Sequence, residues 1–112
     1  MKKSELSDIL HACFDHVSDS ITSVDDFNKT PRCVYWDYLW DYLEAGGDAY
    51  EDIRTYQVSI FAKVPPNVNG NLNRLRQLLK DACIFPVISH EYLKEQGEWH
   101  SYFSVEVIHD ND

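Results

Sequence analysis

Histidines and carboxylates are the side chains in this sequence that could bind a metal ion. His90 and His100 could face each other across a hairpin, with Glu91 or Glu98 beside them. Protein zinc sites use characteristic spacings, such as two histidines four residues apart on a helix or a Cys/His knuckle. Neither spacing occurs here. We therefore interpret these histidines as surface residues beside a strand, and predict no metal and no other cofactor.

The candidate nucleophiles are the thiols of Cys13, Cys33 and Cys83. A nucleophilic cysteine needs a base and a group that orients the base. Cys13 and Cys83 are predicted to lie on apolar helix faces, where a thiol is inert, and no histidine is obviously paired with Cys33. The odd number and the absence of a CxxC pair predict reduced, mostly buried thiols. Cys33, beside Arg32, is expected to be the most open. GxSxG, Walker and GxGxxG motifs are also absent.

Acidic residues are concentrated around Gly46 and Gly47. They are Asp37, Asp41, Glu44, Asp48, Glu51 and Asp52. A pair of carboxylates can catalyse hydrolysis only when both groups lie in an apolar cleft. Acidic residues around a Gly-Gly turn are usually solvated instead. The sequence therefore predicts a protein that is not an enzyme.

The most unusual segment is Tyr-Trp-Asp-Tyr-Leu-Trp-Asp-Tyr-Leu at residues 35–43. In a two-layer fold a strand buries only one of its faces, so some of these rings should be exposed. Exposed Tyr and Trp side chains are favoured at protein interfaces. The alternative is that a helix and a loop cover both faces. The predicted interface residues are Tyr35, Trp36, Tyr38, Trp40, Tyr42, Asp48, Glu51, Asp52 and Trp99.

Hydrophobic periodicity predicts the elements that must position these residues. Apolar stripes predict helices over residues 4–18 and 67–83. Alternation and β-forming residues predict strands over 33–40, 52–63, 84–89 and 99–108, although residues 36–44 could also form a helix. The order α-β-β-α-β-β predicts an α+β two-layer sandwich, in which a mainly antiparallel sheet of about four strands packs against two helices.

Length and charge limit the class of protein. The 112 residues are typical of one domain, 1–112, with residues 1–3 and 109–112 as frayed termini. The net charge of −9 argues against sequence-independent binding to the phosphate backbone of nucleic acids. No signal-peptide pattern and no apolar run of about 20 residues is present, so we expect a cytosolic protein without a membrane partner.

In the order of its predicted helices and strands and in their residue pattern, the segment 4–108 resembles the tail terminator, or tail completion, proteins of long-tailed phages and prophages. The resemblance runs through the N-terminal amphipathic helix, Val34-Tyr35-Trp36, an acidic turn and the strand 56–63. It continues through a Leu-rich helix to the final strand, 99–107. The aromatic density at residues 35–42 departs from the family pattern.

The resemblance implies a structural protein of virion assembly. Its partners would be copies of itself in a ring, usually a hexamer, together with the major tail tube protein and a neck or connector protein. The ring would lie at the head-proximal end of the tail, stop tube polymerisation and join tail to head, and DNA would pass through it without specific binding. Assembly would take place in the host cytoplasm. The alternatives are a head-side neck or head-closure adaptor and, in another class, an acidic inhibitor or antitoxin that mimics nucleic acid.

Overall fold

The chain folds into helices on one side of a set of long strands. The structure is a computed structural model that describes residues 1–20, 29–44 and 50–108, and every structural statement below concerns those residues. The elements in chain order are α1 Lys3–Cys13, β1 His16–Asp19, β2 Arg32–Glu44, β3 Tyr50–Ala62, a 3-10 turn Pro66–Val68, α2 Gly70–Asp81, β4 Ser89–Leu93 and β5 Glu98–Ile108.

The strands form one five-stranded sheet in the order β1-β2-β3-β5-β4. β1 pairs with β2 in parallel, and all other neighbours are antiparallel. Leucines of α1 and α2 share a hydrophobic core with one face of the sheet. The predicted α+β class, with two helices on a mainly antiparallel sheet, is confirmed. The sheet has five strands instead of about four, so the order is α-β-β-β-α-β-β.

The additional strand, β1, lies in a segment predicted to be helical. α1 ends at Cys13, whereas the apolar stripe predicted a helix over residues 4–18. Phe14 is buried and Val17 packs against the core, so the stripe correctly marks inward-facing residues. Val17 lies opposite Cys33 in the β1–β2 ladder. We infer that pairing with the edge of β2 overrides helix propensity, because it gives the backbone groups of both strands hydrogen-bond partners.

The alternation predicted for the two long strands is confirmed. Tyr56, Val58 and Ile60 of β3 lie opposite Val105, Phe103 and Ser101 of β5, and all six are buried. The helices cover this face with Leu6 and Leu10 of α1 and Leu72, Leu75 and Leu79 of α2. Burying large aliphatic side chains in this way contributes about 1.5–3 kcal/mol each relative to exposure. We call this side the helix face and the other side the open face.

The second helix is shorter than the predicted 67–83. Its N-cap is Asn69, whose side chain accepts a hydrogen bond from the Leu72 N–H at 3.1 Å. At the other end Cys83 has φ 61°, and the Ile84 N–H donates to the Leu79 carbonyl at 2.8 Å. This is a Schellman-type ending with a cysteine at the position that favours glycine. Cys83 is therefore exposed, contrary to its predicted place on an apolar helix face.

The edge strand and the N-terminus also differ from prediction. β4 covers Ser89–Leu93 instead of 84–89, because Pro86 lacks the N–H that a strand ladder requires. Residues 1–3 are not frayed. Lys2 forms a bridge with Ile108, and the Ile108 N–H donates to the Met1 carbonyl at 2.8 Å. Residues 109–112 lie outside the described part of the chain.

The β2–β3 hairpin extends beyond the other strands. Each strand has 13 residues, but β1 pairs only with Arg32 to Tyr35 of β2, and β5 ends opposite Ile53. The molecule is correspondingly long, with extents of 51 × 29 × 22 Å. We call residues 38–44 and 50–54 the hairpin arm.

Candidate interaction site

A β-bulge decides which side chains the hairpin arm exposes. Asp37 lies opposite Tyr56, but Leu39 lies opposite Thr55, so Tyr38 is an extra residue on β2. A bulge of this kind shifts the alternation of faces by one residue. Leu39 therefore shares the open face with Thr55, whereas Trp40, opposite Arg54, lies on the side of the helix face. The alternation of an unbroken strand would place each of them on the other side.

The arm carries most of the predicted aromatic surface. Trp40 is 66% exposed and Tyr42 74% exposed, and Tyr38 and Leu39 are also more than half exposed. The two most exposed rings are two residues apart, so they project from the same side of the strand. The hydrophobic core beneath the helices includes Tyr35 and Tyr56 but no residue of the arm. The result is a set of exposed apolar side chains at the end of the hairpin, where β1 no longer pairs with β2 and β5 pairs only with Ile53 and Arg54.

Charged residues fix the position of the Trp40 ring. The Arg54 guanidinium lies 4.3 Å from the ring centroid, and its Nη1 is 3.2 Å from Asp37 Oδ2. The Trp40 Nε1–H donates to the same carboxylate, while Arg54 Nη2 lies 3.1 Å from Asp52 Oδ2. Burial alone would raise the pKa of Asp37, but the hydrogen bond from Trp40 and the charge of Arg54 outweigh it and lower that pKa. An exposed ring held in this way loses little freedom on binding.

The other predicted interface residues do not form one surface. Tyr35 is only 4% exposed and packs against Tyr56 with ring centroids 5.8 Å apart, so it belongs to the core and its assignment to an exposed surface is corrected. Trp36 is half-buried on the open face, and Glu51 and Asp52 are half-buried on the arm. Asp48 lies outside the described residues.

The last predicted residue, Trp99, lines a groove between α2 and β4 at the other end of the sheet. The groove has a volume of about 740 Å³. It is lined by Pro65, Pro66, Asn67, Leu72, Asn73, Arg76, Pro86, Ile88, His90 and Trp99. Beside it, Val87 is 86% and Phe85 72% exposed. The sequence did not indicate this groove, because its walls come from four separate segments.

A serine, a histidine and a glutamate meet on the open face. His100 Nε2 is 2.9 Å from Ser59 Oγ, and His100 Nδ1 is 2.8 Å from Glu91 Oε1. This order resembles a nucleophile, its base and the group that orients the base. Ser59 is only 1% exposed and lies within β3 between two paired strands. A substrate carbonyl could not reach its Oγ, so the imidazole acts as a link between β3, β4 and β5.

A buried ion pair lies beside this link, on the same part of the open face. Arg32 and Glu98 form a bidentate contact with distances of 2.8 and 3.2 Å, and both side chains are 8% exposed. The Arg32 guanidinium lies 4.4 Å from the centroid of Phe61, whose ring stacks on His100 at 4.6 Å. A fully paired, buried arrangement of this kind orders the sheet. Sequence reasoning missed it because it depends on the register of three strands.

The structure separates the two histidines considered as metal ligands. His90 lies opposite Ser101 on the helix face, and His100 lies opposite Glu91 on the open face. In the described ranges, no three His, Cys, Asp or Glu side chains form a group that could hold a metal ion.

The thiols also differ from the sequence-based expectation. Cys33 is fully buried, not open, and burial raises the pKa of its thiol far above the ordinary range. Burial likewise raises the pKa of Cys13. Only Cys83 is exposed.

Comparisons with known proteins add no identification. No protein-family model matches the chain, and no curated protein matches it. Neither described helix has the length and apolar character needed to cross a membrane. The fold and its surfaces define an α+β protein with two features that suit contact with other macromolecules, the hairpin arm and the groove at the opposite end.

Proposed function

We propose that this chain is a structural subunit of a phage tail. Copies form a ring, a hexamer by resemblance, at the head-proximal end of the tail tube, where they stop polymerisation and join tail to head. The partners are the chain itself, the tube protein and a neck protein. The chain acts in the virion after assembly in the host cytoplasm, and DNA passes through the ring.

The observation that carries the proposal is the exposed aromatic arm. A monomer rarely exposes a group of large apolar side chains without using it, and the arm exposes Trp40 and Tyr42 on one face and Leu39 on the other. Tyr and Trp are the residues that contribute most to binding at interfaces. A hairpin that projects beyond its own core can insert into a neighbouring subunit or into the rim of a tube.

Two other features fit a ring through which DNA passes. β1 and β4 are the two outer strands of the sheet, and unpaired strand edges can pair with other chains. The net charge of −9 repels nucleic acid, which suits a channel that must not retain DNA. An acidic ring is therefore compatible with passage of DNA without specific binding.

Internal ion pairs favour this role over mimicry of nucleic acid. A mimic presents a face of carboxylates to a basic partner. Here Asp37 and Asp52 contact Arg54, and Glu98 contacts Arg32, so these acids are engaged within the subunit and are not presented as a row of free carboxylates. A head-side neck adaptor would use the same surfaces, and differs only in binding the portal-side connector instead of the tail tube.

Size-exclusion chromatography with light scattering tests the proposal directly. The purified chain is measured alone and after addition of assembled tail tubes, with tube-free buffer and an unrelated acidic protein as controls. We expect a ring-sized species, alone or on the tubes. A chain that stays monomeric and has no affinity for tubes would contradict the proposal, and binding to the connector alone would identify a neck adaptor.

Deletion of the coding sequence provides the test in the assembled particle. Electron micrographs of the lysate should show overlong or headless tails, and the wild-type chain supplied from a plasmid should restore virions. A Trp40→Ala, Tyr42→Ala chain should restore far fewer virions than the control Val68→Ala, whose side chain is as exposed as Trp40 but lies outside the arm. Normal virions from the deletion would refute the proposal.

A further inference from the structure

The hairpin arm and the groove lie at opposite ends of the subunit. The arm includes the start of β3 at Tyr50, and the groove begins just beyond the end of β3, at Pro65. A strand rises about 3.3 Å per residue, which places the two ends of β3 roughly 40 Å apart. The 51 Å long axis of the molecule agrees with this separation. An arm can therefore reach only the groove of another copy.

The groove has walls suited to aromatic side chains. Pro65, Pro66, Leu72, Ile88 and Trp99 supply its apolar surface, and Tyr92 packs on Trp99 with ring centroids 5.2 Å apart. Its volume of about 740 Å³ lies within the range of about 300–1,000 Å³ of sites that enclose small ligands. Such a groove has room for more than one ring.

The charges of the two surfaces are opposite. Arg76 lines the groove and, within the described ranges, contacts no carboxylate. On the arm, Asp37 and Asp52 both contact the single guanidinium of Arg54. These three side chains lie on the same face as Trp40 and Tyr42, and together they carry one negative charge. Two copies of a chain with net charge −9 repel each other. A contact between copies is therefore favoured where a cationic surface meets an acidic one.

We propose that the groove lined by Trp99, Leu72 and Arg76 receives the hairpin arm of a second copy of this chain, with Trp40 and Tyr42 entering it and Asp52, on the same face of the arm, facing Arg76. The contact joins two different patches, so it is heterologous, and repetition leads to a closed ring or an open filament. The inference rests on the proposed ring and assigns the surfaces that build it.

Site-directed cross-linking tests this contact. In a Cys83→Ser background, one chain carries Tyr42→Cys on the arm and another carries Asn73→Cys in the groove, and the two are mixed and treated with a short bismaleimide. Cys13 and Cys33 are buried and should not react. We expect a heterodimer that forms at least tenfold faster than with the control Gln77→Cys, an exposed α2 residue outside the groove. A chain with both new cysteines should give a ladder that ends at the ring size.

Charge reversal provides a matched pair of variants. Arg76→Glu should weaken self-association at least tenfold, whereas Arg74→Glu changes the same charge outside the groove and should leave it unchanged. Changing Asp52 to lysine in the partner chain should restore association with Arg76→Glu.

The outcomes separate this inference from the proposed function. A ring without arm-to-groove cross-links, or one insensitive to Arg76→Glu, overturns the inference and leaves the proposed function standing. Cross-linking of Asn73→Cys to the tube protein and not to another copy also overturns the inference, because the groove would then bind the tube protein. No ring, even on tubes, overturns the proposed function. Specific arm-to-groove cross-links in a chain that does not bind tubes would support the contact between copies but not the proposed function.

Discussion

The two halves of β2 have similar composition and opposite environments. Residues 33–35 are buried between β1 and β3, with Cys33 and Tyr35 beneath the helices, whereas residues 38–42 are exposed on the hairpin arm. Tyr35 and Tyr42 are the same residue type on one strand, yet one is 4% and the other 74% exposed. Exposure of an aromatic ring here depends on what covers it and not on the ring itself.

The largest expected difference lies between these two tyrosines. Tyr35→Ala removes a buried ring and should lower the free energy of unfolding by about 3–5 kcal/mol. Tyr42→Ala should change it by no more than about 0.5 kcal/mol, as is usual at the surface, while disrupting assembly. Urea unfolding of the monomer measures both values. Equal losses would show that the arm belongs to the folding core.

The ion pairs of the two regions should also differ. Glu98→Gln leaves Arg32 buried and only partly paired, and should cost about 3 kcal/mol of unfolding free energy. Asp52→Asn removes a more accessible contact of Arg54 and should cost less than about 1 kcal/mol. The double variant Arg32→Met, Glu98→Leu should recover most of the first loss, which is measured by the same denaturation experiment. A small effect of Glu98→Gln would mean that water reaches the pair.

A stabilising change is expected at the end of α2, where the backbone is strained. Cys83 has φ 61°, a conformation that costs a residue with a Cβ about 1 kcal/mol relative to glycine. Cys83→Gly should therefore raise the free energy of unfolding by about 1 kcal/mol. Cys83→Ala keeps the Cβ and should bring no such gain. A thermal shift that is equal for both variants would contradict the assignment of strain.

The smallest expected effect is a pH dependence of the arm. The hydrogen bond from Trp40 and the charge of Arg54 lower the pKa of Asp37 in the folded chain against the effect of burial. Its carboxylate therefore contributes stability above the unfolded pKa of about 3.9, and this contribution is lost as the pH falls through the folded pKa. Asp37→Asn should lower the unfolding free energy by less than about 1 kcal/mol at pH 7. In urea titrations at successive pH values, the gap between variant and wild type should close as the pH falls below the folded pKa.

The sequence predicted the helix face better than the interaction site. Period-two alternation in β3 and β5 identified Tyr56, Val58 and Phe103 as inward-facing, because hydrophobic burial acts on every second residue of a strand. It did not reveal the bulge at Tyr38, which changes the faces of Leu39 and Trp40. The aromatic surface was thus correctly placed on β2 but included Tyr35, which the helices cover.

Features that join distant segments escaped sequence reasoning. Ser59 and His100 are 41 residues apart in the chain and 2.9 Å apart in space. The groove likewise brings α2, β5 and the loops after β3 and α2 together. Such contacts depend on strand order and register, which are set by long-range pairing. β1 is an instance in which this pairing also overrides a helical pattern.

The sequence by itself determined an α+β chain with amphipathic helices, long alternating strands and an acidic, aromatic-rich hairpin. These properties are local, because periodicity, turn residues and charge act over a few neighbouring positions. Only the tertiary structure decided which end of β2 is covered, that Arg32 meets Glu98, and that a groove opens at the end opposite the hairpin arm. Those outcomes require segments far apart in the chain to pack together, and packing responds to shape and register, which no short stretch of residues contains.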